Sequence, residues 1–370
     1  MKVLSIVPYT IFPARTGGQK AIALFNRYFA RHGELVCATV PGNDPAFAEG
    51  YTMVHLLGAG RFRYINPRSF FTLRRFIRQE GFTHLLLEHP YFGWLGVLLK
   101  KATGVRLVTR SHNIEATRWK SLGKWWWKGL YYYERWTHRH SDYNFFITEE
   151  DRTYALRRYG LDAASCLPVP YGIDWDRAPD NARRQTCRQQ LCNSHGIDPA
   201  SCILLFNGAF GYRPNRDALF NIVHQLAPRL RQTGFHFTIV ICGKDIPAGL
   251  ANTPGLVIAG FVDDVASYFM GADLFLNPVT EGGGIKTKLV EALGYNLTAV
   301  SAQSGASGIP QALCDGKLLV CDDGDWQQFA ERTREAANIR ASIPQAYFDH
   351  FYWDNIGKKA ADFLKQELSW

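Results

Sequence analysis

Asn277-Pro278-Val279-Thr280-Glu281-Gly282-Gly283-Gly284-Ile285-Lys286-Thr287-Lys288-Leu289-Val290-Glu291-Ala292-Leu293-Gly294 is the stretch that decides how this chain is read. The apolar run Leu274 to Leu276 leads into it, and the apolar spacing of a helix begins near Ile285. A strand that ends in a glycine turn and feeds a helix lets backbone approach a ligand closely. It also offers unpaired N–H groups at the positive end of the helix dipole. Such a turn is a seat for a diphosphate. Lys286 and Lys288 add positive charge beside it, and Glu291, roughly two turns in, is placed to accept hydrogen bonds from ribose hydroxyls.

On both sides, short apolar runs alternate with longer amphipathic stretches, the mark of a parallel sheet wrapped by helices. In the first half the strands are expected at Val3–Pro8, Leu35–Val40, Leu85–Leu87, Leu107–Ser111 and Asn144–Thr148, with helices such as Lys20–His32 and Phe70–Gln79 between them. Residues 166–200 turn polar and Arg-rich and read as a linker. Alternation then restarts with Ile203–Asn207, a helix over Asp217–Arg231, Phe237–Cys242, Leu256–Ala259, Leu274–Asn277 and Leu297–Ser301. The fold class is therefore α/β, with two doubly wound parallel-sheet domains. Ligands of such sheets bind at the carboxyl ends of the strands, which for two facing units means the cleft between them.

With 370 residues, 46% of them hydrophobic and 20% charged, the chain suits two folded domains and excludes disordered and repeat classes. Its net charge of +9 is uneven. Residues 1–150 carry 21 Lys/Arg against 10 Asp/Glu, and residues 151–370 carry 21 against 23. The eight cysteines form no C-x-x-C pair and read as reduced core residues. Met1–Pro8 reads as a first buried strand rather than a signal peptide, and no apolar run is long enough for a membrane span. A cytoplasmic location follows as the expectation. Residues 118–136 hold five Trp, three Tyr and five Lys/Arg with one acid, a composition suited to the interface of an anionic membrane. Packing of the aromatics into the domain core is the competing reading. No nucleic-acid-binding module is recognisable.

Strand, Pro, glycine turn, basic first helical turn and late Glu together resemble the donor-binding segment of retaining GT-B glycosyltransferases of family 4 (glycosyl transferases group 1). Asn207-Gly208-Ala209-Phe210-Gly211-Tyr212-Arg213 resembles the loop that opens that family's donor domain, and Gly260-Phe261-Val262-Asp263-Asp264 its nucleobase-contacting segment. Thr16-Gly17-Gly18-Gln19 resembles the loop that approaches the transferred sugar. Ser111-His112-Asn113-Ile114-Glu115 is similar to the histidine loop, and Pro170-Tyr171-Gly172-Ile173-Asp174 to the interdomain signature.

The resemblance implies a domain of residues 1–175 on the acceptor side, a donor domain of residues 176–350, and a helix over about 351–370 that packs back on the first. It implies a donor site of Gly208, Arg213, Phe261, Val262, Glu281, Gly282, Gly283, Gly284, Ile285, Lys286, Lys288 and Glu291. His112, Gly17 and Gly18 would stand on the side of the reacting sugar. The sequence departs from the family twice. The first of its two motif glutamates would fall at Gly283, with Glu281 two residues early, and the cations after the opening glycine are replaced by Ala209 and by Pro214 or Asn215, so Arg213, Lys286 and Lys288 would meet the diphosphate. The implied activity is metal-independent, cofactor-free transfer from a nucleotide-diphosphate sugar to a glycan or lipid-linked acceptor in envelope or polysaccharide assembly. Asp322-Asp323-Gly324-Asp325 reads as a solvated loop rather than a metal site. A catalytically silent GT-B partner of another transferase is the alternative.

Overall fold

The computed structural model describes residues 1–14, 16–250 and 253–366, and for Arg61 the backbone alone. Strands β1 (Lys2–Val7), β2 (Glu34–Thr39), β3 (Thr52–His55), β4 (His84–Glu88), β5 (Arg106–Ser111), β6 (Tyr143–Phe146) and β7 (Cys166–Pro168) form one parallel sheet, ordered β3-β2-β1-β4-β5-β6-β7. Its central strands β1 and β4 are buried along nearly their whole length, as helices on both faces require. The helices of this unit are α1 (Gly17–Phe29), α2 (Arg68–Glu80), α3 (Gly93–Thr103), α4 (Glu115–Ser121), α5 (Trp127–His140) and α6 (Glu149–Tyr159). Their starts and stops are local. Thr16 caps α1 in a reciprocal box with Gln19, and Gly81 closes α2 in the left-handed conformation.

The second sheet contains β8 (Cys202–Ala209), β9 (Phe237–Lys244), β10 (Leu256–Gly260), β11 (Leu274–Asn277), β12 (Thr298–Ala302) and β13 (Leu318–Cys321), ordered β10-β9-β8-β11-β12-β13. Around it lie α7 (Asn181–His195), α8 (Arg213–Asn221), α9 (Ala227–Gln232), α10 (Val265–Gly271), α11 (Thr287–Gly294), α12 (Trp326–Ala336) and α13 (Gln345–Phe351). The last helix, α14 (Trp353–Lys365), packs on α1. The chain thus divides into two compact units, Met1–Gly172 with the segment from Phe351, and Ile173–His350. Where α14 meets α1, a Cβ on Gly357 would lie 2.9 Å from the backbone nitrogen of Phe29, so only glycine allows the approach.

Three sequence expectations need correction. The polar stretch taken as a linker contains α7, which packs against α10. Asp180 caps its start and Gly196 ends it, while Cys187, Leu191 and Cys192 form a narrow buried stripe too slight to show as amphipathic periodicity. The helix expected over Asp217–Arg231 is α8 and α9 joined by a π turn, Ile222–Leu226. Pro228, with no N–H to donate, interrupts the regular ladder there. The helix after the glycine turn starts at Thr287 rather than Ile285, with Lys286 as its N-cap.

Candidate functional site

Each sheet reverses strand order once, between β1 and β4 and between β8 and β11. Loops leaving the carboxyl ends of such a pair run apart and leave a crevice. In the second unit β8 ends at Asn207-Gly208-Ala209, with Gly208 in register with Gly243 of β9. A Cβ on Gly243 would stand 1.7 Å from the Gly208 carbonyl oxygen, and one on Gly208 would stand 3.1 Å from Lys288 Nζ. Both glycines therefore make room at the strand ends. Lys288, in the first turn of α11, donates to Asn207 O at 2.7 Å and Asn215 Oδ1 at 2.9 Å, and lies 4.7 Å from the centre of the Phe206 ring. Neither acceptor is a carboxylate. Burial, with the nearby charge of Lys286 adding to it, pushes the Lys288 pKa down to about 7.

Lys286 folds back over the glycine turn and donates to Gly282 O at 2.6 Å and Gly284 O at 3.2 Å; burial lowers its pKa to about 8. The turn depends on glycine, since Gly282 and Gly284 hold φ of +88° and +71°. The position a Gly282 Cβ would take is 2.8 Å from Tyr212 Oη, so the Tyr212 ring borders the turn. The arrangement is two desolvated ammonium groups at a glycine turn that opens a helix, an environment that an anion would stabilise. Glu291, fifth residue of α11, is half-buried and partnered. Ile285 and Val262 are half-buried, and Gly283 and Glu281 are exposed. Phe261 is 62% exposed, and Lys244 Nζ stands 4.4 Å from its ring centre. Arg213 opens α8 with its guanidinium on Asp217 Oδ2 at 3.1 Å, exposed to solvent rather than gathered with the lysines. In the Asp322–Asp325 loop, Asp323 accepts hydrogen bonds from Ser304 and Asp325 caps α12.

In the first unit, Gly17 and Gly18 open α1, and a Cβ on Gly18 would meet nothing within 4 Å. At the end of β5, His112 Nε2 lies 2.7 Å from Glu88 Oε2, at the end of β4. Arg110 Nη1 donates to both oxygens of Glu88, at 3.1 and 3.2 Å, and its guanidinium covers the Phe25 ring of α1 at 4.1 Å. His89 adopts φ of +72°, rare outside glycine, and stacks on His112 at 4.3 Å. Its Nε2 pairs with Tyr9 Oη at 2.9 Å, and its enclosed Nδ1 lies 3.8 Å from Glu115 Oε1. Glu134 fixes this corner by accepting from the N–H groups of Glu115 and Ala116, and burial raises its own pKa to about 7. Burial favours neutral Glu88, but Arg110 and then His112 outweigh it and keep the carboxyl below the usual range. Burial lowers His112 against the pull of Glu88.

The sequence reading singled out His112 but not the Glu88, Arg110 and His89 around it. The signal was present in Leu85-Leu86-Leu87-Glu88-His89-Pro90, where an acid and a histidine directly follow an apolar strand. Gly243 had no comparable signal, because its role depends on register, and Asn215, which stands where the family resemblance looks for a cation, is instead an acceptor for Lys288 on a loop returning to β8.

Two doubly wound units, each with polar groups at its switch point, define a GT-B glycosyltransferase. Residues 16–177 match the family described as Glycosyltransferase Family 4, and residues 201–338 the one described as Glycosyl transferases group 1. The two matches together span most of the chain, which belongs to the family 4 glycosyltransferases. A search among curated proteins found no match. Among solved structures, Anabaena HepE in complex with UDP and glucose is 14% identical, with TM-score 0.70 over 99% of this chain and 100% of that one. A glycosyltransferase from Rickettsia africae is 12% identical, with TM-score 0.70 over 99% of each chain. Sucrose-phosphate synthase from Thermosynechococcus elongatus is 14% identical, with TM-score 0.71 over 99% of this chain and 98% of that one. These likenesses show the shared fold.

Proposed function

We propose that the chain is a retaining, metal-independent transferase that moves a sugar from a nucleotide-diphosphate sugar to a glycan or lipid-linked acceptor in polysaccharide or cell-envelope glycan assembly. The observation that carries this reading is the pair of desolvated lysines at the Gly282–Gly284 turn. They would hold the diphosphate and neutralise it as it leaves, which supplies without a metal the charge stabilisation such a step needs. Glu291 would take the ribose, and the segment at Phe261 and Val262 the base. HepE, whose structures hold UDP and UDP-glucose, supports a uridine donor as the first to test.

A membrane-linked acceptor draws support from the helical layer α2, α3 and α5. Phe71, Leu98 and Tyr132 are exposed on it, and Trp125, in the turn that leads into α5, is 88% exposed. Residues 61–140 carry 16 Lys/Arg and four acids. Three of those acids, Glu88, Glu115 and Glu134, are buried, and Glu80 pairs with Lys2. Among the described residues no helix is long and apolar enough to cross a membrane, so the proposed contact is peripheral, at the inner face. The test of the reaction is transfer from a nucleotide hexose to a panel of lipid-linked saccharides in EDTA, with proton NMR of the product linkage. The proposal expects product with the donor's anomeric configuration. Product with inverted configuration, or turnover only with added metal, would overturn it.

A further inference from the structure

A polar cavity of about 680 Å³ lies within the second unit, at the edge of the sheet opposite the glycine turn. Cys202, Leu274 and Thr298, the first residues of β8, β11 and β12, line it, and α7 and the segment after α12 bound its other sides. Cavities of roughly 300–1,000 Å³ take small organic molecules rather than a single ion. Four cations reach this one. Arg184 and Arg188 stand one turn apart on α7, Lys317 directly precedes β13, and Arg340 follows α12. Among the described residues of the lining Asp273 is the one carboxylate, and it is engaged by Arg188 Nη1 at 2.6 Å and the Ile203 N–H at 2.7 Å. The lining histidine, His236, lies 3.4 Å from Asp198.

Arg184 and Lys317 are tied to carbonyls rather than acids. Arg184 donates to Met270 O, Ala272 O and Asn296 O, and Lys317 donates to Ala341 O at 2.9 Å. These bonds hold the side chains in place without neutralising them. Lys317 is 3% exposed, and burial, with the charge of Arg184 adding to it, lowers its pKa to about 8. Burial outweighs the pull of Asp273 and lowers Arg184 as well. The lining thus carries four cations against one carboxylate, three positive charges net. Helices α10, α11 and α12 end beside it, and each helix end is equivalent to about half a negative charge, so roughly half of the excess stands uncompensated. A phosphate monoester, at about −1.5 to −2 near neutral pH, matches that remainder.

We infer that this cavity is a second anion site, in which Lys317, Arg184 and Arg340 hold the phosphate of a phosphorylated sugar. Asn181, Asn338 and Ser342, exposed in the same lining, offer amide and hydroxyl groups to the sugar hydroxyls. All of these residues belong to Ile173–His350, and the site stands whether or not the glycine turn holds a nucleotide sugar.

Calorimetric titration of the full chain with the 6-phosphates of glucose, mannose and fructose, with inorganic phosphate and with glucose tests this. At least one sugar phosphate is expected to bind saturably, inorganic phosphate about tenfold or more weakly, and glucose not at all. Lys317→Met removes a desolvated charge and should fold, while weakening the sugar phosphate about tenfold or more. Arg340→Gln, at an exposed position, should weaken it about threefold or more, and it carries the test alone if Lys317→Met does not fold. Lys288→Ala should leave the affinity within about twofold, because Lys288 stands at the other end of the sheet. Failure of all three sugar phosphates to bind overturns the inference, as does binding that neither Lys317→Met nor Arg340→Gln weakens. Binding lost in Lys288→Ala and kept in Lys317→Met places the phosphate at the glycine turn and overturns it too. Inorganic phosphate binding as tightly as the sugar phosphates overturns the organic ligand. A chain that binds a sugar phosphate at Lys317 but no nucleotide sugar would remove the transferase reading and support the cavity site.

Discussion

Lys288 joins structure to chemistry at the scale of single residues. Its folded pKa of about 7 lies far below the 10.5 of a free lysine. The unfolded chain therefore binds more protons between those values, and this group's penalty on stability is full below pH 7 and relieved as pH rises toward 10.5. A bound diphosphate reverses the balance by favouring the charged form, so donor binding takes up protons and weakens as pH rises. Donor affinity is expected to fall at least about tenfold between pH 7 and 9, since each group deprotonating in the free enzyme contributes up to about tenfold per unit. Calorimetry in buffers of different ionisation enthalpy checks this, and Lys288→Met should flatten the profile. The two lysines were legible as cations beside a turn, because glycine triplets and charge are local signals. That Lys288 reaches across to Asn207 and Asn215 was not, because those contacts join residues more than seventy positions apart. Arg213 shows the converse: a cation in the right segment, turned by its i,i+4 neighbour Asp217 toward solvent.

At the scale of elements, the donor-side crevice depends on strand ends stripped of side chains. Gly243 combines φ of +146° with a Cβ position 1.7 Å from the Gly208 oxygen. Gly243→Ala should cost about 3 kcal/mol or more, since the neighbour is backbone and cannot rotate away. Urea unfolding measures it, and an alanine variant as stable as wild type would remove the argument. Gly18→Ala, which meets nothing within 4 Å, should by contrast change stability by less than about 0.5 kcal/mol. Long central strands were readable because burial on both faces makes them continuously apolar. The edge strands β3 and β7 and the four-residue β13 were not, being short and mixed in composition. α7 was hidden by its polar surface, and its buried stripe carries two cysteines and one leucine.

At the scale of the whole molecule, the last helix belongs to the first unit. Trp353 is fully buried there, and Gly357 lets α14 touch α1 backbone to backbone. Gly357→Leu should lower the melting temperature of that unit by several degrees, on the order expected for overpacking a tight helix contact. Calorimetry of the intact chain checks it. The basic, aromatic layer of α2, α3 and α5 predicts sedimentation with vesicles containing phosphatidylglycerol and not with phosphatidylcholine alone, lost on Trp125→Glu with Phe71→Glu and weakened by salt. The two-unit architecture was readable from the alternation of strands and helices, and the partnership of Glu88, Arg110, His89 and His112 only from the sheet that aligns β4 with β5. The central claim is that the Gly282–Gly284 turn with Lys286 and Lys288 holds a nucleotide-diphosphate sugar. Titration of UDP- and GDP-sugars into the purified chain in EDTA tests it most directly. Saturable binding of one of them, weakened about tenfold or more by Lys288→Ala in a folded variant, is the predicted result. Binding unchanged by that substitution, or no binding of any nucleotide sugar, would contradict it.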